Sequence, residues 1–332
     1  MRVLITGWFS FLDGEATAGD VGAAAAVAAA LDAAGTAHDT AWSPVFRPRG
    51  PALVDADPDA YDALVFVCGP VHGHQVRALH ERFARCLRIA VGVSVVDPRD
   101  PAVRGFHRVL PRDAPGAPAR PDLAAAAPPA PGVPVVGVTA APDQPEYARR
   151  SAHETVHARL AAWLAAKDCA RVPLDTRLDG DDWFHCATPG QYDALVRRVD
   201  AVVTTRLHGL VLALRNGVPA IAVDPVAGGA KVTAQAAVWG WPVVTLERPG
   251  DPLPEAELDG LWRRWLGPGA ADPLPGGAPA PAHPPLVRDL LDALGRDVPP
   301  GPLPGDAAAR GAVPGPRLRA VRDAPRPSPG GP

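Results

Sequence analysis

Along this chain, short continuous apolar runs alternate with stretches of helical period. The runs are Arg2–Thr6, Asp62–Cys68 (D-A-L-V-F-V-C), Arg88–Val95, Val133–Thr139 (V-P-V-V-G-V-T), Cys169–Leu174, Val199–Thr204, Ala220–Val223 and Trp241–Leu246. Each has strand length and lacks a polar face, the pattern of a strand covered on both sides of a parallel sheet. His38–Trp42 reads as a further, irregular strand. Between the runs lie helical segments at Val21–Ala34, Gln75–Cys86, Glu146–Ala166, Gln191–Val199, Leu207–Arg215, Lys231–Trp239 and Glu255–Leu266. Gly35 stops the first of these, and Pro189 marks the start of the fourth. Strand and helix alternate in both halves, which predicts an α/β protein of two domains facing each other across a cleft. The first domain is expected over residues 1–132, with 97–132 a long loop and linker, and the second over 133–266. Residues 267–298 read as a linker carrying one short helix, Leu286–Leu294, and the Pro/Gly-rich tail 299–332 reads as disordered.

Composition narrows the function classes. The chain has 332 residues, a formal net charge of −3 and 47% hydrophobic residues. That balance does not suit general nucleic-acid binding, which draws on a basic surface. No apolar stretch is long enough to span a bilayer, so no integral membrane segment is expected. The start of the chain shows no signal-peptide pattern, and a cytoplasmic protein with reduced thiols is the expectation. The four cysteines, Cys68, Cys86, Cys169 and Cys186, have no metal-knuckle spacing. Lysine occurs only at Lys167 and Lys231. The sequence leaves oligomeric state open.

Candidate chemistry gathers where strands end and helices begin. Arg206 and His208 follow the run Val199–Thr204 and open the next helix. Arginine offers a planar five-donor fork to phosphate or carboxylate, and histidine moves protons near neutral pH. Asp20 reads both as the N-cap of the first helix and as a site residue at the end of the first strand. The loop before it carries Trp8, Phe9 and Phe11, read chiefly as packing residues. His72 and His74 follow the second strong strand, where His72 is a candidate substrate contact. Glu154 and His157 lie three apart on one helix face and read as a surface pair. Arg206 has an alternative reading as a plain partner of Asp224, which ends the next strand at the same side. There is no G-x-G-x-x-G and no G-x-x-x-x-G-K-[ST], so a nicotinamide dehydrogenase and a P-loop kinase find no support. No metal site is expected.

The stretch T-T-R-L-H-G-L-V-L-A-L-R-N-G-V-P-A-I-A-V-D-P (204–225), with Lys231 after it, resembles the signature of the polysaccharide pyruvyl transferase family. R-V-L-I-T-G with T-A-G-D at 17–20 resembles the family's amino-terminal strand and Gly-Asp helix start. Y-D-A-L-V-F-V-C-G-P at 61–70 stands where the family has a strand ending in a run of glycines, here reduced to Cys68-Gly69-Pro70. R-P-D-L at 120–123 resembles the segment before the family's second domain. The resemblance covers roughly residues 1–266.

It implies two Rossmann-like domains in the manner of GT-B glycosyltransferases. It also implies transfer of pyruvate from phosphoenolpyruvate, a donor substrate rather than a cofactor, to hydroxyls of a saccharide-like acceptor as a ketal. On that resemblance Arg206 and Lys231 hold the donor, and His208 and Asp20 are the catalytic residues, with the acid and base roles left open between them. Gly209, Asp224, Gly19, Gly69 and His72 complete the substrate-binding set, with the first domain as the acceptor side. Two other readings stand beside it: a GT-B-type glycosyltransferase using a nucleotide sugar, with Glu154 or Asp224 on the nucleotide, and a non-catalytic binding protein of the same fold.

Overall fold

A computed structural model of the chain describes residues 1–47, 50–141, 144–268 and 285–295. It divides into two compact units, 1–132 and 133–332. The tail expected to be disordered lies outside the described residues.

The first unit runs β1 (Arg2–Thr6), α1 (Ala18–Ala33), β2 (Ala37–Thr40), β3 (Ala63–Val67), α2 (Gly73–Arg82), β4 (Leu87–Ser94), α3 (Pro101–Arg104) and β5 (Arg108–Asp113). Its five strands lie in the order β2-β1-β3-β4-β5, all pairs parallel. Period-two alternation sorts each central strand onto two cores. Leu4, Leu64 and Phe66 pack with Val76 and Leu79 of α2. Val3, Ile5, Val65 and Val67 pack with Ala23 and Ala24 of α1 on the other side. Leu64 and Phe66 are wholly buried, and full burial of such a side chain contributes about 1.5–3 kcal/mol. Small alanines let α1 lie close to the sheet.

Two expectations need correction here. Residues 97–132 are not one long loop, because they supply α3 and the edge strand β5. β5 pairs only with β4 and leaves alternate residues exposed, so its sequence, R-V-L-P-R-D, lacks the apolar run of a central strand. Proline at an edge costs no ladder bond on the open side. The first helix is also capped by Thr17 rather than Asp20. Thr17 Oγ1 accepts the Asp20 N–H at 3.1 Å and donates to Asp20 Oδ2 at 2.7 Å.

The second unit runs β6 (Val135–Thr139), α4 (His153–Ala165), β7 (Ala170–Pro173), α5 (Pro189–Val196), β8 (Ala201–Thr204), α6 (Leu207–Arg215), β9 (Ala220–Val223), α7 (Lys231–Trp239), β10 (Val243–Val244) and α8 (Glu255–Leu266). A further helix, α9 (Pro285–Gly295), follows. The sheet order is β10-β9-β8-β6-β7, again parallel throughout. Counted from its own first strand, each sheet has the order second, first, third, fourth, fifth. The chain therefore repeats one doubly wound topology without a legible sequence repeat. In that topology the connections leave the sheet in opposite directions on either side of the first strand. The switch points fall between β1 and β3 in the first unit and between β6 and β8 in the second.

Candidate functional site

At the β6/β8 switch point, four hydroxyl residues lie deep in the second unit. Thr139, Thr204 and Thr205 are buried polar residues at the carboxyl ends of β6 and β8, and Tyr192 of α5 is buried beside Thr139. Burial pushes the Tyr192 phenol up, so it stays a neutral hydroxyl. Thr204 Oγ1 accepts the Arg206 N–H at 2.9 Å and lies 3.0 Å from the Thr139 carbonyl, to which it donates. Thr205 Oγ1 accepts the Ala141 N–H at 2.8 Å and shares a 2.9 Å hydrogen bond with His157 Nε2. His157 thus turns inward to the strand end, while Glu154 stays exposed. The expected surface pair of these two is replaced by a link between α4 and the switch point.

Arg206 occupies the N-cap position of α6, with no side chain capping the helix. First-turn N–H groups and the helix dipole therefore give this end a partial positive charge of about +0.5. The Arg206 guanidinium meets Asp175, with Nη1 2.9 Å from Oδ1. Its partner is thus Asp175 and not Asp224. Asp175 also lies 3.7 Å from His185 Nε2, and His185 Nδ1 is 2.8 Å from Asp182. His208 is exposed in the first turn of α6, two residues along from Arg206. Lys231 starts α7 and forms no ion pair among the described residues.

Two residues expected to bind substrate carry structural contacts. Asp224 is 0% exposed. Its Oδ1 accepts the Val226 N–H, and its Oδ2 accepts the Ala230 N–H, the Thr233 N–H and the Thr233 hydroxyl. Those four bonds occupy the carboxylate's acceptor sites and bind the loop before α7 to the end of β9. Gly209 is buried where α6 crosses the sheet. A Cβ there would lie 3.0 Å from Thr204 Cβ and 3.3 Å from Thr139 Cβ and would overlap Thr204 Oγ1. Its role is close helix–strand approach.

The first unit has its own recess, at the β1/β3 switch point. A cavity of about 480 Å³ is lined by Trp8, Asp13, Glu15, Asp20, Gly69 and His72 together with Thr17 and Pro70. Three of the residues singled out from sequence, Asp20, Gly69 and His72, meet here. Gly69 has φ +68°, and a Cβ on it would strike the Trp8 indole. Glycine therefore allows Trp8 to lie across the turn, where its Nε1 donates to the Pro70 carbonyl at 3.0 Å. His72 is the N-cap residue of α2, and its ring centroid lies 5.2 Å from that of Trp8. Phe9 and Phe11 are buried, as expected of packing residues, whereas Trp8 faces the cavity. Gly19 is exposed on the first turn of α1. A Cβ there would meet only Thr17 Oγ1, at 3.7 Å, so nothing in the backbone demands glycine.

Below the cavity, Cys68 has φ +63°, a left-handed conformation that favours glycine. Its thiol is pushed up to about 11 by burial and by its hydrogen bond to Asp20. It remains a neutral donor to that carboxylate. Among the described residues no group of three or more His, Cys, Asp or Glu is arranged to hold a metal, and no helix is long and apolar enough to cross a membrane.

Asp175 and Tyr192 are residues that sequence reading missed, and His157 is one that it placed on the surface. Asp175 had one available signal, since it stands just beyond the carboxyl end of β7.

The fold and the unit 2 site define an α/β protein of doubly wound type with an arginine and a histidine at a helix start on the switch point. The model of the family Polysaccharide pyruvyl transferase matches residues 169–225, the segment that builds that site from Asp175 through Arg206 and His208 to the end of β9. That match supports the resemblance read from sequence, to a family of transferases acting in polysaccharide biosynthesis. The match stops short of Lys231 and of the first unit. No curated protein matches the chain. Among solved structures, the chain is similar to E. coli heptosyltransferase WaaC with ADP, at 13% identity and a TM-score of 0.26, over 79% of this chain and 99% of that one. A likeness at that score carries no argument about activity.

Proposed function

We infer that this protein is a pyruvyl transferase that moves pyruvate from phosphoenolpyruvate to two hydroxyls of a saccharide acceptor, forming a ketal. The observation that carries the reading is Arg206, set at an uncapped helix N-terminus on the switch point inside the matched segment. Phosphoenolpyruvate presents a phosphate and a carboxylate, and a guanidinium fork beside free N–H groups suits either anion. Lys231, at the start of α7 in the same unit, supplies a second cation to the donor.

The reaction needs one proton on the methylene carbon of the donor, which leaves an oxocarbenium-like centre at C2. One acceptor hydroxyl attacks that centre. The C–O bond to phosphate breaks, and a second hydroxyl closes the ring. Of the two hydroxyl protons, one balances the new methyl group and the other leaves on inorganic phosphate. His208, exposed two residues beyond Arg206, serves as acid toward the methylene or as base toward a hydroxyl. In this reading Asp20 accepts a hydroxyl proton from, or orients, the acceptor on the first unit. The nucleotide-sugar alternative loses one of its two carboxylates, because Asp224 has buried and committed oxygens, and is left with Glu154.

The test is calorimetric titration of the purified protein with phosphoenolpyruvate, beside Arg206→Ala and with nucleotide sugars in parallel. Saturable binding that Arg206→Ala loses is expected. A nucleotide-sugar isotherm without one for phosphoenolpyruvate would overturn the proposal in favour of glycosyl transfer.

A further inference from the structure

The cavity of the first unit has a charge inventory that bears on which sugar it takes. Three carboxylates line it, from Asp13, Glu15 and Asp20, with no arginine or lysine in the wall. Among the described residues none of the three enters an ion pair. The opposing positive terms are the N-termini of α1 and α2, whose cap residues, Thr17 and His72, stand at its rim. Each helix end counts for about half an elementary charge, so the sum is about −2. A protonated His72 would leave it at about −1 by the same count. The carboxylates win, and a phosphate or carboxylate entering the cavity would meet a field of its own sign.

The remaining wall is suited to a pyranose. Trp8 is held in place through its Nε1 bond to Pro70 and by edge-to-face contacts with Phe11 and Phe66. An indole fixed in this way lines the cavity with apolar surface without further ordering cost. Carboxylates accept charge-assisted hydrogen bonds from hydroxyl or ammonium donors. A cavity of about 480 Å³ lies within the range of roughly 300–1,000 Å³ usual for small-molecule sites.

We propose that this cavity selects an acceptor sugar without an acidic group, neutral or aminated, and discriminates against uronic acids and sugar phosphates. The proposal rests on the reading of the first unit as the acceptor side. Carboxylates without a cationic partner provide the repulsive element that specificity requires. Asp20 faces the hydroxyl to be activated, while Asp13 and Glu15 set the charge preference.

The experiment is saturation-transfer NMR on the full chain, without donor, using methyl glycosides of glucose, galactose, mannose, glucosamine, galactosamine, glucuronic acid and galacturonic acid. At least one neutral or aminated glycoside is expected to bind, about tenfold tighter than its matching uronide, the summed size of solvent-screened like-charge contacts to the three carboxylates. In Asp13→Asn/Glu15→Gln that ratio should fall at least about threefold, because both substitutions sit on the open rim and remove charge without volume. Uronide binding equal to or tighter than its neutral counterpart would overturn the proposal. So would a panel in which no glycoside binds, or a ratio that the double variant leaves unchanged. Phosphoenolpyruvate plays no part in this measurement, so failure here and failure of the donor titration are read separately.

Discussion

Gly209→Ala puts the architecture of the Arg206 site to a direct test. The added methyl would overlap Thr204 Oγ1 and approach Thr204 Cβ to 3.0 Å and Thr139 Cβ to 3.3 Å. Thr204 cannot rotate away cheaply, because its Oγ1 holds both the Arg206 N–H and the Thr139 carbonyl. Relief must come from shifting α6 away from β8, and overpacking of this kind costs about 1–3 kcal/mol. Alanine in a helix regains about 0.5–1 kcal/mol over glycine, which at the middle of both ranges leaves a net loss of about 1 kcal/mol. For a unit of this size that lowers the melting temperature by about 2–4 °C. Calorimetric or circular-dichroism melting reads the shift, with Gly190→Ala as the control, since a Cβ at Gly190 meets nothing within 4 Å. Because the same movement frees the Arg206 turn from Thr204, phosphoenolpyruvate affinity should fall with stability. A Gly209→Ala protein as stable as Gly190→Ala would refute the claim that this glycine exists for close approach.

Two further outcomes follow from named contacts. Asp175 competes for Arg206 through a single guanidinium–carboxylate contact between partly exposed groups. Such a pair is worth about 0.2–1 kcal/mol, and Asp175→Asn also removes repulsion toward an incoming anion. Phosphoenolpyruvate should bind about two- to tenfold more tightly to Asp175→Asn in the same calorimetric titration; unchanged or weaker binding would mean that Asp175 orients Arg206 instead. In the first unit, the Ala124 N–H and then Arg112 hold the Asp122 carboxyl below its ordinary range. A depressed carboxyl contributes fully above its unfolded value, about pH 4, and loses that contribution as pH falls through the folded value. Asp122→Ala should therefore cost about 1–2 kcal/mol in urea unfolding at pH 7 through the lost cap and ion pair, and clearly less at pH 3. Equal losses at both pH values would remove Asp122 from the acid response.

Much of the chain was legible before its structure. The boundaries expected for β1, α6, β9, α7 and α8 are those observed, because apolar runs and helix periodicity report the faces that each segment must bury. β5 escaped that logic, since an edge strand needs only a partial apolar face. Arg206 and His208 were visible as a pattern because a helix start after a buried strand is a local feature.

What a side chain meets across the sheet is not local, and here the structure had the last word. Nothing along the chain pairs Arg206 with Asp175 rather than Asp224. That choice follows from β7 and β9 lying on different sides of β6 and β8, and from the loop before α7 turning back onto the Asp224 carboxylate. His157 lies on the half-buried side of α4 and reaches Thr205, which period counting alone could not show. The cavity of the first unit draws on residues 8–20 and 69–72, which become neighbours only when β1 pairs with β3. Sequence thus settled most of the buried strands and the helices between them, since each of these needs only its own pattern of burial. Sheet order and strand pairing decided which charges oppose one another, because those contacts join segments that the chain keeps far apart.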